Sequence, residues 1–181
     1  MPFTFKPLSI PDVILIEPKI FPDDRGFFIE SFKASDFEKA GLPNYFTQDN
    51  FSFSKKNVIR GLHYQKNPHA QGKLVSVLNG CIWDVAVDIR KESPTFLRWI
   101  AVELKDKNHH MVYIPPGFAH GFLALSDDVQ LLYKCTDEYA PTADAGIRWE
   151  DPDIGIPWPV ENPIVSEKDR LLPHIFQAEV F

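Results

Sequence analysis

The chain has 181 residues, enough for one domain with a full hydrophobic core and too few for two comfortable ones. Apolar residues make up 44% and charged residues 24%, as in soluble globular proteins, while 16 prolines and 15 phenylalanines indicate many turns between β segments. The net charge of −6 argues against a large nucleic-acid or membrane surface, because both need a dense basic patch. An anionic ligand would therefore need cations placed locally.

Cysteine usage and the N-terminus bear on the compartment. Cys81 and Cys135 lie in apolar runs and form neither a CxxC pair nor a disulfide framework, which favours a reduced cytoplasmic setting. The first residues, MPFTFKP, lack the basic start and apolar stretch of a signal peptide, and no apolar run approaches the ~20 residues of a membrane span. We therefore expect a soluble, unprocessed cytoplasmic protein.

The predicted elements are mostly short strands separated by turn signals. In chain order they cover residues 13–16, 26–29, 73–78, 82–89, 99–104, 111–114, 121–125 and 129–135. Eight or so strands at close spacing predict a sandwich or barrel. Asn79 and Gly80, between the third and fourth of these strands, predict a two-residue hairpin because both tolerate the positive φ of a type I′ turn.

Helical patterns are scarce. Residues 34–40, which end at Gly41, predict one short helix, and residues 166–172, stopped by Pro173, predict a second. The Pro-rich segment 151–163 predicts an extended strap around the barrel rather than a linker between domains. We therefore expect a single domain over residues 1–181.

Two β-patterned segments each place one histidine beside glycine: residues 60–65 (RGLHYQ), with His63, and residues 115–122 (PPGFAHGF), with His120. The second contains Pro-x-Gly-x-x-His, which resembles a signature of the cupin barrels, most of which bind a metal. A metal-binding cupin usually supplies His-x-His from its first motif, and Gln65 stands where the second histidine would be. Two obvious ligands are fewer than a tight site requires, so we expect no metal.

Strand alternation places three polar side chains on apolar faces. Lys73, His120 and Tyr133 each share a face with apolar residues of the same strand. In a small barrel the apolar face points inward, so these groups would line one cavity and need one another or a ligand. Singly, such a tyrosine is more often a core residue and such a lysine a solvent-facing charge, so only their convergence argues for a site.

Two questions about His63 stay open at this point. Arg60 and His63 point to opposite faces of a regular strand, unless a bulge at Gly61 brings both to one cavity. A histidine oriented by a carboxylate can remove a proton, and a tyrosine hydroxyl can return one from the other face. Asp169 is a candidate orienter, but Ser166 and Asp169 also form the Ser-x-x-Asp pattern of a capping box.

A phosphorylated ligand would need several of the cations that lie in or beside these segments. These are Arg25, Arg60, Lys73 and Lys168. Arginine suits bidentate contact with phosphate, and a lysine on an apolar face suits stabilisation of a developing oxyanion. Since no Walker or Rossmann glycine pattern is present, a phosphate site would be built from side chains.

Several motifs, in order along nearly the whole chain, resemble the dTDP-4-dehydrorhamnose 3,5-epimerase family of dTDP-L-rhamnose synthesis. They are residues 24–30 (DRGFFIE), 48–50 (QDN), 59–65, 72–75 (GKLV), 115–125, 132–136 (LYKCT) and 166–169 (SEKD). The resemblance implies an all-β fold, a cupin-type jelly-roll barrel with a few short helices, acting without metal or cofactor. It also implies a homodimer in which an N-terminal segment of one subunit reaches the neighbouring site, and a product used in lipopolysaccharide or cell-wall polysaccharide.

The resemblance further implies roles for individual residues. His63 would be the general base, oriented by Asp169, with Tyr133 the general acid on the opposite face and Lys73 stabilising the enolate. The residues that would hold the dTDP-sugar are Arg25, Glu30, Gln48, Asn50, Arg60, Lys73, His120, Tyr139, Asp144 and Lys168. Some relatives carry glutamate at the position of Asp144, so the shorter carboxylate here would weaken that contact without affecting chemistry.

The implied reaction inverts carbons 3 and 5 of dTDP-4-dehydro-6-deoxy-D-glucose to give dTDP-4-dehydro-L-rhamnose. Protons next to the carbon 4 ketone become acidic only when the enolate is stabilised, and inversion needs donor and acceptor on opposite faces. The alternatives are an epimerase acting on one carbon, or a ketoisomerase, on a dTDP-keto-sugar in the same fold. A metal-dependent cupin oxygenase and a non-catalytic sugar-nucleotide binder are two others.

Overall fold

The computed structural model describes residues 2–181 and is built mainly from strands. The strands are β1 (Phe3–Pro7), β2 (Ile14–Pro18), β3 (Ile20–Asp23), β4 (Gly26–Ile29), β5 (Gln48–Ser54), β6 (Val58–Gln65), β7 (Lys73–Asn79), β8 (Cys81–Asp88), β9 (Trp99–Lys105), β10 (Met111–Ile114), β11 (Phe118–Ala124), β12 (Val129–Cys135), β13 (Asp144–Gly146) and β14 (Ile164–Val165). The helices are α1 (Ala34–Lys39), α2 (Glu167–Arg170) and a 3₁₀ turn at Ile175–Gln177.

Two sheets form the body of the fold. One has the strand order β1-β2-β10-β7-β12-β5, and the other has the order β13-β6-β11-β8-β9, with β14 added in parallel beside β6. Apolar side chains from both sheets, such as Val75 and Leu131 of the first and Ile82 and Phe122 of the second, pack in one core between them. Two antiparallel sheets packed in this way are the predicted jelly roll.

All eight predicted strands are present, with bounds that differ by at most a few residues. β5 shows why some strands escaped prediction. Its polar residues Gln48, Asn50 and Ser52 are half-buried, while Phe51 and Phe53 are 60% and 47% exposed. The alternation is thus the reverse of an ordinary half-buried strand, because the inner face of β5 lines a polar cavity.

The hairpin predicted at Asn79 and Gly80 is wrong. The chain does turn there, with Gly80 at φ +88°, but β7 pairs with β10 and β12 whereas β8 pairs with β9 and β11. The turn therefore crosses from one sheet to the other, and Gly80 N–H donates to Asp106 Oδ2 instead of closing a ladder. Turn chemistry is local, whereas strand pairing is set by burying both apolar faces in the shared core.

Both short helices form. α1 ends just before Gly41, as predicted, and Gly41 has φ +74°, a conformation that often ends a helix and that glycine adopts readily. α2 is shorter than predicted and is capped by Ser166, whose Oγ accepts the N–H of Asp169 at 3.1 Å. Residues 151–163 contain no helix or strand, and Ile154 and Trp158 pack them against the core of the second sheet.

Candidate active site

A polar cavity opens between the two sheets and has two adjoining parts. The outer chamber, of about 370 Å³, is lined by Gln48, Asn50, Tyr64, Gln65, Gln71, Tyr139, Asp144 and Lys168. The inner chamber, of about 190 Å³, is lined by Ser52, Arg60, His120, Phe122 and Leu131. His63, Lys73 and Tyr133 line both chambers and therefore stand where the two meet.

His63 is held by a buried carboxylate. Its Nε2–H donates to Asp169 Oδ1 at 2.7 Å, and Asp169 Oδ2 also accepts the backbone N–H of Gly61 at 3.3 Å. Burial alone would raise the pKa of Asp169, but the hydrogen bond and charge of His63 and the other donors outweigh it and lower the pKa. The backbone N–H of Asp169 donates to the Oγ of Ser166, which caps α2, so the carboxylate of Asp169 is left free to bind His63.

A bulge in β6 brings Arg60 and His63 to one cavity. Opposite β11, His120 pairs with His63 and Phe122 pairs with Arg60, so two steps along β11 match three along β6. Gly61 supplies the irregular residue, with φ +133°. This bulge answers the question that the sequence left open, because Arg60 and His63 both line the inner chamber.

Lys73 and Tyr133 complete the junction of the chambers. The Lys73 ammonium donates to the backbone carbonyl of His63 at 3.3 Å, and burial lowers its pKa, opposed by the thiol of Cys135 and by more distant carboxylates. Burial raises the pKa of the Tyr133 hydroxyl, which therefore keeps its proton at neutral pH. The junction thus places a lysine and a protonated tyrosine hydroxyl beside a histidine.

The mouth of the outer chamber carries an aromatic ring and a charged pair. Lys168 Nζ donates to Asp144 Oδ2 at 2.6 Å, which raises the pKa of Lys168. The ring of Tyr139 is half exposed, and its hydroxyl approaches the same carboxylate at 3.4 Å. The Tyr139 N–H donates to Gln48 Oε1, and Gln48 Nε2 donates to Asn50 Oδ1. These predicted binding residues are therefore one connected group.

Gln65, which stands where a metal-binding cupin has its second histidine, makes structural hydrogen bonds. Gln65 Nε2 donates to the carbonyls of His69 and Glu138, and Gln65 Oε1 accepts the N–H of Ala140. Gln65 thus ties two loops to the barrel. Within residues 2–181 no group of three or more His, Cys, Asp or Glu side chains is arranged to hold a metal ion.

Arg25 and Glu30 are the two predicted binding residues that the structure leaves outside the cavity of their own chain. Arg25 lies in the turn of the β3–β4 hairpin, pairs with Asp23 at 2.6 Å and has 89% of its side chain exposed. Glu30 follows β4 directly. Neither residue lines the inner or the outer chamber.

Sequence reasoning missed Ser52, which lines the cavity, and Asp84, which binds a residue that lines it. Ser52, on the reversed strand β5, lines the inner chamber. Asp84, on β8, is buried and its Oδ2 lies 2.8 Å from His120 Nε2. Asp84 alternates with Ile82 and Ala86 on the core face of β8, and a carboxylate in such a row was the signal that could have revealed it.

Fold and site together define a cupin-type jelly-roll protein whose cavity holds a histidine–carboxylate pair, a lysine and a tyrosine. The model of the dTDP-4-dehydrorhamnose 3,5-epimerase family matches residues 7–177. The chain belongs to this family of epimerases, which are isomerases.

Individual relatives agree with the family match. The dTDP-4-dehydrorhamnose 3,5-epimerase of Shigella flexneri is 53% identical over 162 residues, 89% of this chain and 90% of that protein. The dTDP-6-deoxy-D-glucose-3,5-epimerase of Legionella pneumophila, solved with dTDP-4-keto-L-rhamnose, superposes with a TM-score of 0.92 at 46% identity, covering 96% of this chain and 93% of that one. ChmJ, a 3'-monoepimerase from Streptomyces bikiniensis solved with dTDP-quinovose, gives 0.89 at 37% identity, covering 94% and 87%. The fold is thus shared by enzymes with different numbers of inverted carbons.

Proposed function

We propose that the protein inverts carbons 3 and 5 of dTDP-4-dehydro-6-deoxy-D-glucose and so produces dTDP-4-dehydro-L-rhamnose. The observation that carries the proposal is the convergence of the His63–Asp169 pair, Tyr133 and Lys73 at the junction of two chambers. The family match and the relatives named as 3,5-epimerases, one of them solved with dTDP-4-keto-L-rhamnose, support the same reaction.

The first half of each inversion is proton removal. With Nε2 bound to Asp169, the His63 ring has Nδ1 left to take the proton from the carbon next to the ketone. The buried charge of Asp169 stabilises the imidazolium that forms, and the Lys73 ammonium stabilises the enolate oxygen at carbon 4. Lys73 and Asp169 thereby lower the barrier to forming two opposite charges in the chamber.

The second half is protonation from the opposite face. The raised pKa of Tyr133 keeps its hydroxyl protonated at neutral pH, so it can donate to the enolate carbon. Solvent then restores the tyrosine proton and removes the proton from His63. A second cycle at the other carbon, after the sugar ring has moved, completes the double inversion. No metal or cofactor is needed for these steps.

The rest of the cavity holds the nucleotide sugar. Arg60 and His120 lie in the inner chamber, where the sugar must sit if its carbons are to reach His63. The connected group at the mouth, Gln48, Asn50, Tyr139, Asp144 and Lys168, is placed to hold the dTDP part. The exposed ring of Tyr139 offers a stacking surface for the base.

Arg25 and Glu30 act in the same function through a homodimer. The β3–β4 hairpin that carries Arg25 exposes Phe27 and Phe28 by 56% and 64%, a surface that a partner subunit would cover. The hairpin would then deliver both binding residues to the neighbouring site. Each subunit is one jelly-roll domain over residues 1–181, and the enzyme works in the cytoplasm, supplying a sugar for surface polysaccharide.

Solvent deuterium exchange followed by NMR tests the proposal. Incubation with dTDP-4-dehydro-6-deoxy-D-glucose in D₂O should label carbons 3 and 5 and yield dTDP-4-dehydro-L-rhamnose. Label at carbon 3 alone would instead support the second candidate, a single-carbon epimerase. The similarity to the 3'-monoepimerase ChmJ is the observation that favours this candidate. Unchanged substrate without label at high enzyme concentration would contradict both, and the His63→Ala variant controls for uncatalysed exchange.

A further inference from the structure

A second pair of histidine and carboxylate, which the proposed mechanism does not use, borders the inner chamber through its histidine, His120. His120 Nε2 and Asp84 Oδ2 are 2.8 Å apart, with only 8% and 2% of their side chains exposed. His120 stands directly opposite His63 in the β6–β11 register, so both histidines approach the sugar subsite. The two pairs differ in access, because the His63 side chain is 33% exposed.

Asp84 occupies a position that packing alone would fill with an apolar residue. Its neighbours on the same face of β8 are Ile82 and Ala86, both core residues, and its side chain is almost fully buried. A buried carboxylate is costly unless it is hydrogen-bonded and paired. Because its hydrogen-bond partner, His120, faces the ligand cavity, the charge is placed to serve that cavity rather than the fold.

Asp84 also bears on the charge of Lys73. Burial lowers the pKa of the Lys73 ammonium, and the groups that oppose this from the surrounding strands are Cys135 on β12, Asp84 on β8 and Asp144 on β13. Asp144 is already bound to Lys168, and Cys135 carries a charge only as a thiolate, whose own pKa burial raises. Of the two carboxylates, Asp84 is therefore the one whose charge no lysine or arginine neutralises, and its charge favours the ammonium form of Lys73.

We propose that Asp84 is a positioning residue of the epimerase: its hydrogen bond fixes the ring of His120 against the sugar, and its buried negative charge supports the cation at Lys73. The inference rests on the proposed epimerase function, because only enolate formation requires a cation beside the carbon 4 oxygen. Asp84 does not touch the reacting carbons, so its effect must appear through His120 and Lys73.

The Asp84→Asn variant tests the proposal, since the amide keeps size and hydrogen bonding but removes the charge. We expect kcat to fall by about 10- to 100-fold, less than the ~10²–10³ lost with a direct oxyanion donor. The affinity for dTDP alone should stay within about two-fold, because the outer chamber is unchanged. The alkaline limb of the kcat profile should move to lower pH, because Lys73 loses its proton more readily without the carboxylate.

A matched control is Asp88→Asn, which removes another fully buried carboxylate from the same strand. Asp88 binds Arg90, Ser93 and Thr95 outside the cavity, so this variant should lose stability while kcat and its pH profile stay as in the wild type. The wild-type exchange experiment separates failure of the proposed function from failure of this inference.

Provided that the wild type is active, the role of Asp84 would be refuted if Asp84→Asn kept a kcat within about two-fold of wild type with the same pH profile. It would also be refuted if Asp84→Asn lost kcat and dTDP affinity in parallel, or if Asp88→Asn showed the same shift of the pH profile. If Asp84→Asn does not fold, Asp84→Glu replaces it in the test. Glutamate keeps the charge, so the alkaline limb of the kcat profile should match the wild type, whereas displacement of the carboxylate should lower kcat. A kcat equal to that of the wild type would contradict the positioning role.

Discussion

The proposed roles of His63 and Tyr133 are supported by pKa shifts in opposite directions, at Asp169 beside His63 and at Tyr133 itself. Asp169, with its lowered pKa, is ionised at neutral pH and can stabilise a charged imidazolium at His63. Tyr133 has a raised pKa because of burial and enters the reaction as a neutral donor. Both shifts agree with the proposal that His63 accepts a proton and Tyr133 gives one.

The Tyr133→Phe and His63→Ala variants should separate the two halves of the reaction. Without Tyr133, His63 can still remove a proton and return deuterium to the same face, so substrate should acquire label while keeping its configuration. Without His63, both label and product should be lost. Turnover should fall by ~10²–10⁴ in each variant, with dTDP binding retained. NMR of the recovered sugar in D₂O measures label and configuration together.

Tyr113→Phe is the matched control for that experiment. Tyr113 is also buried, with its pKa raised to about 12, but it lies outside both chambers. Its loss should leave turnover unchanged. Full inversion at both carbons by Tyr133→Phe would show that another group supplies the second proton.

At the scale of single strands, much of the site could be predicted from alternation. Lys73, His120 and Tyr133 do face one cavity, because their strands follow the ordinary apolar-inward pattern. β5 breaks that pattern, with Ser52 inward and Phe53 outward, so its contribution to the cavity was visible only through the family resemblance. Local patterns record which way a side chain points but not whether its strand borders core or cavity.

Partner choice between strands was the weakest part of the sequence interpretation. Asn79 and Gly80 have the composition of a hairpin turn, yet their flanking strands belong to different sheets. The β6–β11 pair was similarly undetermined, because the bulge at Gly61 is needed to align His63 with His120. Both features depend on contacts between distant segments, which a local window does not contain.

Alanine substitution at Gly61 and at Gly26 measures how far the bulge in β6 depends on the absence of a side chain at Gly61. Their φ angles are nearly the same, +133° and +134°. A Cβ on Gly61 would lie 2.5 Å from Gly121 Cα, whereas a Cβ on Gly26 would meet nothing within 4 Å. Gly26→Ala should cost about 1–3 kcal/mol through backbone strain alone. Gly61→Ala should cost a further ~1–3 kcal/mol by forcing β6 and β11 apart.

Urea denaturation of the two glycine variants, followed by circular dichroism, gives the difference in unfolding free energy. Turnover provides a second readout, since a shift of β6 against β11 displaces His63 from His120. Equal destabilisation of the two variants would mean that the chain relaxes around the added methyl and that the close approach is not required.

At the scale of the whole molecule, the described chain carries an incomplete set of predicted binding residues in its cavity. Arg25 and Glu30 lie on or beside a hairpin that pairs only with itself among the described strands. The same chain exposes aromatic rings on that hairpin and, through Phe51 and Phe53, on the edge strand β5. Exposed apolar edges of this kind favour association, and a two-fold dimer would cover this surface on both of its subunits.

Subunit complementation tests the exchange of the hairpin directly. Arg25→Ala should impair the neighbouring subunit's site, whereas His63→Ala should inactivate its own. In a mixed dimer, the subunit with intact His63 receives the intact hairpin of its partner, so one of its two sites is complete. Random pairing of the two inactive variants at equal amounts should therefore restore about a quarter of wild-type sites.

The control pairs His63→Ala with Lys168→Ala. Both residues line the outer chamber of the same chain, so each site of a mixed dimer carries one of the two changes and this pair should restore no complete site. The decisive comparison is a single chain carrying both Arg25→Ala and His63→Ala, co-expressed with wild type. If the hairpin acts across the dimer, the double variant spoils its own site through His63 and its partner's through Arg25, and mixed dimers are inactive. If Arg25 serves its own chain, the wild-type subunit of each mixed dimer keeps full activity, and recovered turnover of tag-purified mixed dimers near half of wild type would refute the exchange.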